Sequence, residues 1–183
     1  MFLPQNQRIV VTGLSVVSPL GSSLADIWQR ITETQAGDDE PQTTGRVQFP
    51  GQIEDFGEPP KHIGRSIRKS LKLMNRETQM GVAAGQKALL ASGVSGAYDP
   101  ERIGVTFAAD NVALMPEDFQ AGVAACTDSD GEFHIDDWGS RGIDEVAPLW
   151  LLKCLPNMPA CHLAILNELR GPNNTITQRD VSA

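Results

Sequence analysis

The chain has 183 residues, 40% of them hydrophobic and 21% charged, as in a globular domain with a sizeable core. Its formal net charge of −8 argues against broad nucleic-acid binding, which needs cations that neutralise phosphates. No eighteen-residue apolar run and no secretion leader are found, so no membrane association is expected and the predicted location is the cytoplasm.

The first predicted elements are a strand and an amphipathic helix. Residues 8–13 form a β-branched run ended by glycine, which predicts a buried strand, and a turn follows at residues 18–21. Ser23 and Asp26 have the spacing of a capping box. The helix predicted after them ends near Gly37, and its apolar residues repeat with helical period: Leu24, Ile27, Trp28 and Ile31.

A loop and a long helix come next. Residues 36–63 are rich in glycine and proline and predict mainly loop, with a short extended piece at residues 47–49. Apolar and small residues then predict one buried helix over residues 66–92. Its glycines, Gly81 and Gly85, indicate a face pressed closely against another element, because glycine is otherwise unfavourable in a helix.

The second half of the chain predicts a strand at residues 103–109, a helix that starts at Pro159 and ends before Gly171, and an extended stretch at residues 174–177. Between the first two, residues 110–146 lose periodicity and gain acids, which predicts a solvated acidic excursion. Strands that alternate with helices indicate an α/β sheet fold in one domain, residues 1–183.

The cysteines and acids predict no metal or cofactor site. Cys126, Cys154 and Cys161 form neither a CxxC pair nor an even framework, so they are expected to be reduced thiols. The acids between Asp128 and Asp137 partly match a calcium loop, but its first ligand position would fall on Cys126. A solvated loop is the favoured interpretation.

Four stretches resemble one family. Residues 10–21, VVTGLSVVSPLG, resemble the opening strand and turn of β-ketoacyl-acyl-carrier-protein synthases. In family order follow the helix at residues 74–93, the segment Asp99–Val105, and Leu155–Ala160 with Gly171–Asn173. The resemblance covers nearly the whole chain apart from the acidic excursion. It implies a thiolase-like fold, a mixed sheet packed by helices, with only the N-terminal part of the first of two α/β halves present.

The resemblance also implies where the chemistry would lie. In this family a nucleophilic cysteine follows the Gly-Pro-Asn stretch, at a helix N-terminus that lowers the thiol pKa. Asp180 occupies that position here. Acyl transfer by the usual route is not expected, because a carboxylate attacks a thioester poorly, and a structural role as a helix N-cap is favoured for Asp180.

The family also uses two histidines from its second half. None of the three histidines of this chain matches them, so surface or structural roles are expected for His62, in the proline-rich loop, His134 and His162.

A basic segment suggests a binding role. Six cations and no acid lie between Lys61 and Arg76, and taking these six from the net charge of −8 leaves −14 on the rest. In related synthases, cations at the start of this helix contact the acidic acyl carrier protein. The docking residues that the resemblance suggests are Arg68, Lys69 and Lys72, and a solvated basic helix end is the alternative.

Three hypotheses follow. The first is a non-catalytic subunit of fatty-acid or polyketide type that binds an acyl carrier protein and pairs, as a homodimer or heterodimer, with a ketosynthase-like subunit, as chain-length factors do. The second is an enzyme, either an acyltransferase whose site is completed by further residues or a decarboxylase of malonyl thioesters. It would be ruled out if the full-length protein did not turn over a malonyl carrier and Asp180→Asn changed nothing. The third is a fragment inactive by itself.

Overall fold

The computed structural model describes residues 8–18, 23–33, 53–109, 115–178 and 181–182. Its helices and strands, joined by short 3-10 and π turns, are α1 (Leu24–Glu33), α2 (Lys61–Ser70), α3 (Arg76–Ser92), β1 (Val105–Ala108), α4 (Gln120–Ala125), α5 (Met158–Asn167) and β2 (Asn173–Ile176). None of the described helices is long and apolar enough to cross a membrane.

The helix predicted over residues 66–92 is two helices, and that prediction was wrong in its continuity. The segment begins at Lys61 with α2, tightens into a 3-10 turn at Leu71–Leu73, and restarts at Arg76. The extended backbone of Met74 ends the first segment, and Asn75 begins the next, because its side chain accepts a hydrogen bond from Thr78 N (2.8 Å). Gly93 ends α3 in the left-handed conformation, at φ 64°.

Strands β1 and β2 form a parallel pair, in the register Val105 opposite Asn173 and Ala108 opposite Ile176. Their positions agree with the extended segments predicted at residues 103–109 and 174–177. The connection between them includes α5, which packs on both strands. Helix α5 ends at Asn167, before Gly171 as predicted, and its C-cap is Glu168, in the left-handed region at φ 55°.

Helices α3 and α5 approach closely through the two predicted glycines. A Cβ added at Gly81 would lie 3.1 Å from Pro159, and one at Gly85 would lie 2.7 Å from Leu163. The helices are also joined by a reciprocal amide pair, in which Gln86 Nε2 donates to Asn167 Oδ1 (3.2 Å) and Asn167 Nδ2 donates to Gln86 Oε1 (2.7 Å). The buried apolar residues beside this contact form one core cluster: Ile53, Phe56, Ile67, Met74, Val82, Ala83 and Leu166.

The N-terminal apolar run does not form the predicted buried strand. Residues 8–17 have no regular secondary structure, and the side chains of Ile9, Val10 and Val11 are 83%, 69% and 76% exposed. Within the described ranges the run forms no ladder hydrogen bonds with β1 or β2, and its residues 11–13 line a depression next to Val105 and Phe107 of β1. Helix α1 forms from the predicted start, but its apolar residues Trp28 (69% exposed) and Leu24 (52%) also face solvent.

The predicted acidic excursion is only partly solvated. Its acids are mostly exposed, but residues 115–157 fold as α4 and several short turns around an aromatic cluster. The rings of Phe119 and Trp150 meet edge to face with centroids 5.0 Å apart, and Trp138 lies 6.4 Å from Phe119. Cys126 is buried beside Gly142. Irregularly spaced aromatic residues therefore give this segment a small core of its own.

Candidate functional site

The candidate docking site is one face of α2 and of the turn after it. Ile67 points into the core, whereas the three predicted docking residues, Arg68, Lys69 and Lys72, are exposed. Lys61 and Arg65 extend the same face, because helical residues four apart are neighbours. We call these five residues the α2 cationic face: Lys61, Arg65, Arg68, Lys69 and Lys72.

The charges of the α2 cationic face are available to a partner. Among the described residues, none of the five lies within ion-pair distance of a carboxylate. Two of them, Arg68 and Lys69, lie in the last turn of α2, where cations also stabilise the negative end of the helix dipole. That stabilisation is a second physical reason for their presence.

The basic segment predicted from the sequence included Lys61 and Arg65, but neither was named as a docking residue. The predicted helix began only at Ser66, so both residues were left outside it. The signal was present in the four-residue spacing of Lys61, Arg65 and Lys69, which the helix start at Lys61 places together.

The three histidines lie on separate elements. His62 is exposed in the first turn of α2, not in a loop as predicted. His134 is exposed, with Nε2 2.9 Å from Asp128 Oδ2. His162 lies buried on α5, where burial lowers the pKa of its imidazole and favours the neutral form.

The Asp128 carboxylate accepts hydrogen bonds from residues of its own loop. One of its oxygens accepts hydrogen bonds from the N–H groups of Asp130 and Glu132, both at 2.9 Å, and the other faces His134. The contact with His134, followed by the bond from Glu132, holds the pKa of the Asp128 carboxyl below its usual value. In the part of the chain that the structure covers, no group of three His, Cys, Asp or Glu residues is placed to hold a metal ion.

None of the cysteines has the surroundings of a nucleophile. Cys126 is buried, and Cys161 Sγ accepts a hydrogen bond from Asn157 Nδ2 (3.5 Å). Burial raises the pKa of the Cys154 thiol, and Asp118 adds to that rise, so the reactive thiolate is disfavoured.

The predicted nucleophile position, Asp180, lies outside the described residues. Strand β2 occupies Asn173–Ile176, a few residues before it, and Gln178 N donates to Ser182 Oγ (2.7 Å). The assignment of Asp180 to the family's cysteine position stays a prediction from sequence.

Comparison with known proteins decides the family. The profile described as "Beta-ketoacyl synthase, N-terminal domain" matches residues 6–182. The chain belongs to the beta-ketoacyl synthase family. This confirms the resemblance inferred from the four ordered motifs.

Relatives of this beta-ketoacyl synthase domain come from fatty-acid and polyketide systems. It is 28% identical over 176 residues to 3-oxoacyl-acyl-carrier-protein synthase 2 of Vibrio harveyi, covering 93% of this chain and 38% of that protein. It is 33% identical over 110 residues to a Streptomyces violaceoruber beta-ketoacyl synthase named for the granaticin polyketide, with 54% and 24% coverage.

A solved structure supports the fold. A beta-ketoacyl synthase from Burkholderia phymatum superposes with a TM-score of 0.54 at 20% identity, over 91% of this chain and 38% of that one. The fold is therefore thiolase-like, as predicted. Nearly all of this chain aligns with the Vibrio and Burkholderia proteins, but it spans only 38% of the length of each.

Proposed function

We propose that this domain acts by binding an acidic acyl carrier protein through the α2 cationic face, without acyl transfer of its own. The observation that carries the proposal is a face of five exposed cations with no carboxylate partner within the described residues. Such a face attracts an acidic protein even though the chain as a whole is acidic. The aspartate at residue 180 supports the second half of the proposal, since a carboxylate forms no stable acyl-enzyme.

Charge reversal tests the docking proposal. The variant Lys69→Glu/Lys72→Glu is expected to bind a bacterial acyl carrier protein at least about tenfold more weakly in low salt, because like charges then face each other across the contact. Binding would be measured by fluorescence anisotropy at two ionic strengths. The wild-type affinity should fall with added salt, as expected for steering between exposed charges.

A matched variant controls for net charge. Arg141→Glu/Arg170→Glu changes the charge equally on a different part of the surface, since the two arginine side chains are 60% and 64% exposed. It should retain nearly the wild-type affinity. Equal weakening by both variants would mean that only the overall charge matters, and the α2 cationic face would lose its role.

We further propose that the domain pairs with a second ketosynthase-like subunit. The exposed apolar side chains at Ile9, Val10 and Val11 support this proposal, because monomeric proteins rarely leave such runs uncovered. Gel filtration of the chain mixed with a ketosynthase encoded by a neighbouring gene should give a complex larger than either component. A chain that elutes as a monomer in every mixture would contradict the pairing.

A further inference from the structure

The imidazole of His162 is buried on the face of α5 that packs on α2 and α3. His162 is 6% exposed, and Met158 and Leu166, which lie one turn before and one turn after it on the same helix face, are each 8% exposed. Leu166 belongs to the core cluster that also contains Ile67 of α2 and Val82 of α3. His162 therefore lies on the side of α5 that meets the other two helices.

This buried imidazole has an unpaired nitrogen. Within the described residues, Nε2 of His162 has no hydrogen-bond partner. A neutral imidazole leaves one polar atom unpaired there, whereas an imidazolium would leave a buried positive charge with an unpaired N–H group, which costs far more free energy. Protonation is therefore strongly disfavoured while α5 stays packed.

The elements packed on α5 offer little compensation for a charge on His162. These elements are α2, α3, β1 and β2, and the only acid in their described residues is Glu77, near the start of α3. Burial is the one cause that lowers the pKa of His162, so no neighbouring charge offsets it. The other charged or titratable groups on these elements and on α5 itself are mostly cations: Lys61, His62, Arg65, Arg68, Lys69, Arg76, Lys87 and Cys161.

We propose that His162 is a pH-sensitive switch whose protonation separates α5 from α2 and α3. At a pH well above the ordinary pKa of histidine, the imidazole is neutral in the folded and the unfolded chain alike, so its burial costs no charge. As the pH falls below that value, the unfolded chain takes up the proton more readily than the folded chain does. The folded state is therefore destabilised by acid.

The position of α5 in the fold carries the effect beyond one side chain. Asn173 Nδ2, at the start of β2, donates to Ala160 O of α5 (3.2 Å), and Asn167 of α5 is paired with Gln86 of α3. A shift of α5 away from α2 and α3 strains both contacts. Acidification is therefore expected to loosen the crossover between β1 and β2 together with the helix.

Urea unfolding at about pH 8 and at about pH 5 tests the switch. Over this interval the unfolding constant of the wild type should rise about tenfold more than that of His162→Gln, which cannot take up the proton. His162→Leu, which also removes the unpaired nitrogen, should behave as His162→Gln does. His62→Gln is the matched control, since His62 is exposed on α2, and it should follow the wild type.

An NMR titration of the wild type examines the same group without any variant. The imidazole signal of His162 should give a pKa below the ordinary histidine value, and amide hydrogens of α5 should lose protection from exchange as it titrates. The switch is overturned if the wild type and both His162 variants lose stability equally on acidification. It is also overturned if His162 titrates at or above its ordinary pKa, or if His62→Gln removes the pH dependence.

Discussion

Replacing Gly171 with alanine is expected to lower the free energy of unfolding by about 3 kcal/mol, as overpacking against backbone does. Gly171 N donates to Ile103 O (3.0 Å), and this hydrogen bond joins the segment just before β2 to the segment just before β1. A Cβ at Gly171 would lie 2.6 Å from Ile103 O and 2.8 Å from Gly104 N. Because these are backbone atoms, the two segments must separate, which strains the hydrogen bond from Val105 N to Pro172 O (2.8 Å).

Urea unfolding followed by circular dichroism measures this effect. Gly139→Ala is the matched control, since a Cβ there meets nothing within 4 Å and the backbone needs no left-handed conformation. It should change the stability by less than about 0.5 kcal/mol. Equal stability of the two variants would show that the backbone of Ile103 and Gly104 lies farther from Gly171 than described.

Breaking the amide pair between α3 and α5 is also expected to lower the free energy of unfolding strongly. Gln86 is 1% exposed, so Asn167→Leu leaves its amide buried without the partner that satisfies both of its polar atoms. The expected loss of stability is about 2–3 kcal/mol, the upper range for a buried polar group left unpaired. The variant also loses the hydrogen bond from Asn167 Nδ2 to Leu163 O (3.0 Å).

A double-mutant cycle isolates the pair. Gln86→Leu/Asn167→Leu removes both amides together, so it should cost at least about 1 kcal/mol less than the sum of the two single variants. Chemical denaturation of all four proteins gives the coupling energy. Strict additivity would mean that the two amides do not stabilise each other.

Local patterns predicted much of this fold. The β-branched run at residues 105–108 and the proline-started helix became β1 and α5 because each carries its signal within a few residues. Two of the motifs matched to the family also contact each other, since Pro100 O accepts from Arg170 N and Ile103 O accepts from Gly171 N. Their order was visible in the sequence, but their pairing was not, because pairing depends on the crossover between β1 and β2.

The errors arose where tertiary contacts override local pattern. The apolar spacing continues through Met74, so the sequence indicated one helix, although Asn75 carried a cap signal. Phe119 and Trp138, which form an aromatic cluster with Trp150, have no periodic spacing and were therefore assigned to a solvated excursion. In the candidate site, all five cations belong to the predicted basic segment, but only Arg68, Lys69 and Lys72 were named as docking residues, because the helix was predicted to begin at Ser66 and not at Lys61.

The break at Asn75 has a consequence for how such domains diversify. It divides one stretch of chain into α2, whose outer face meets solvent, and α3, whose Thr78, Val82 and Gln86 are buried. Substitutions on the outer face of α2 can accumulate across generations without disturbing the packing of α3. If the proposed docking role holds, partner choice and folding can therefore evolve separately, although fewer than ten residues separate Lys72 on the outer surface from Thr78 in the core.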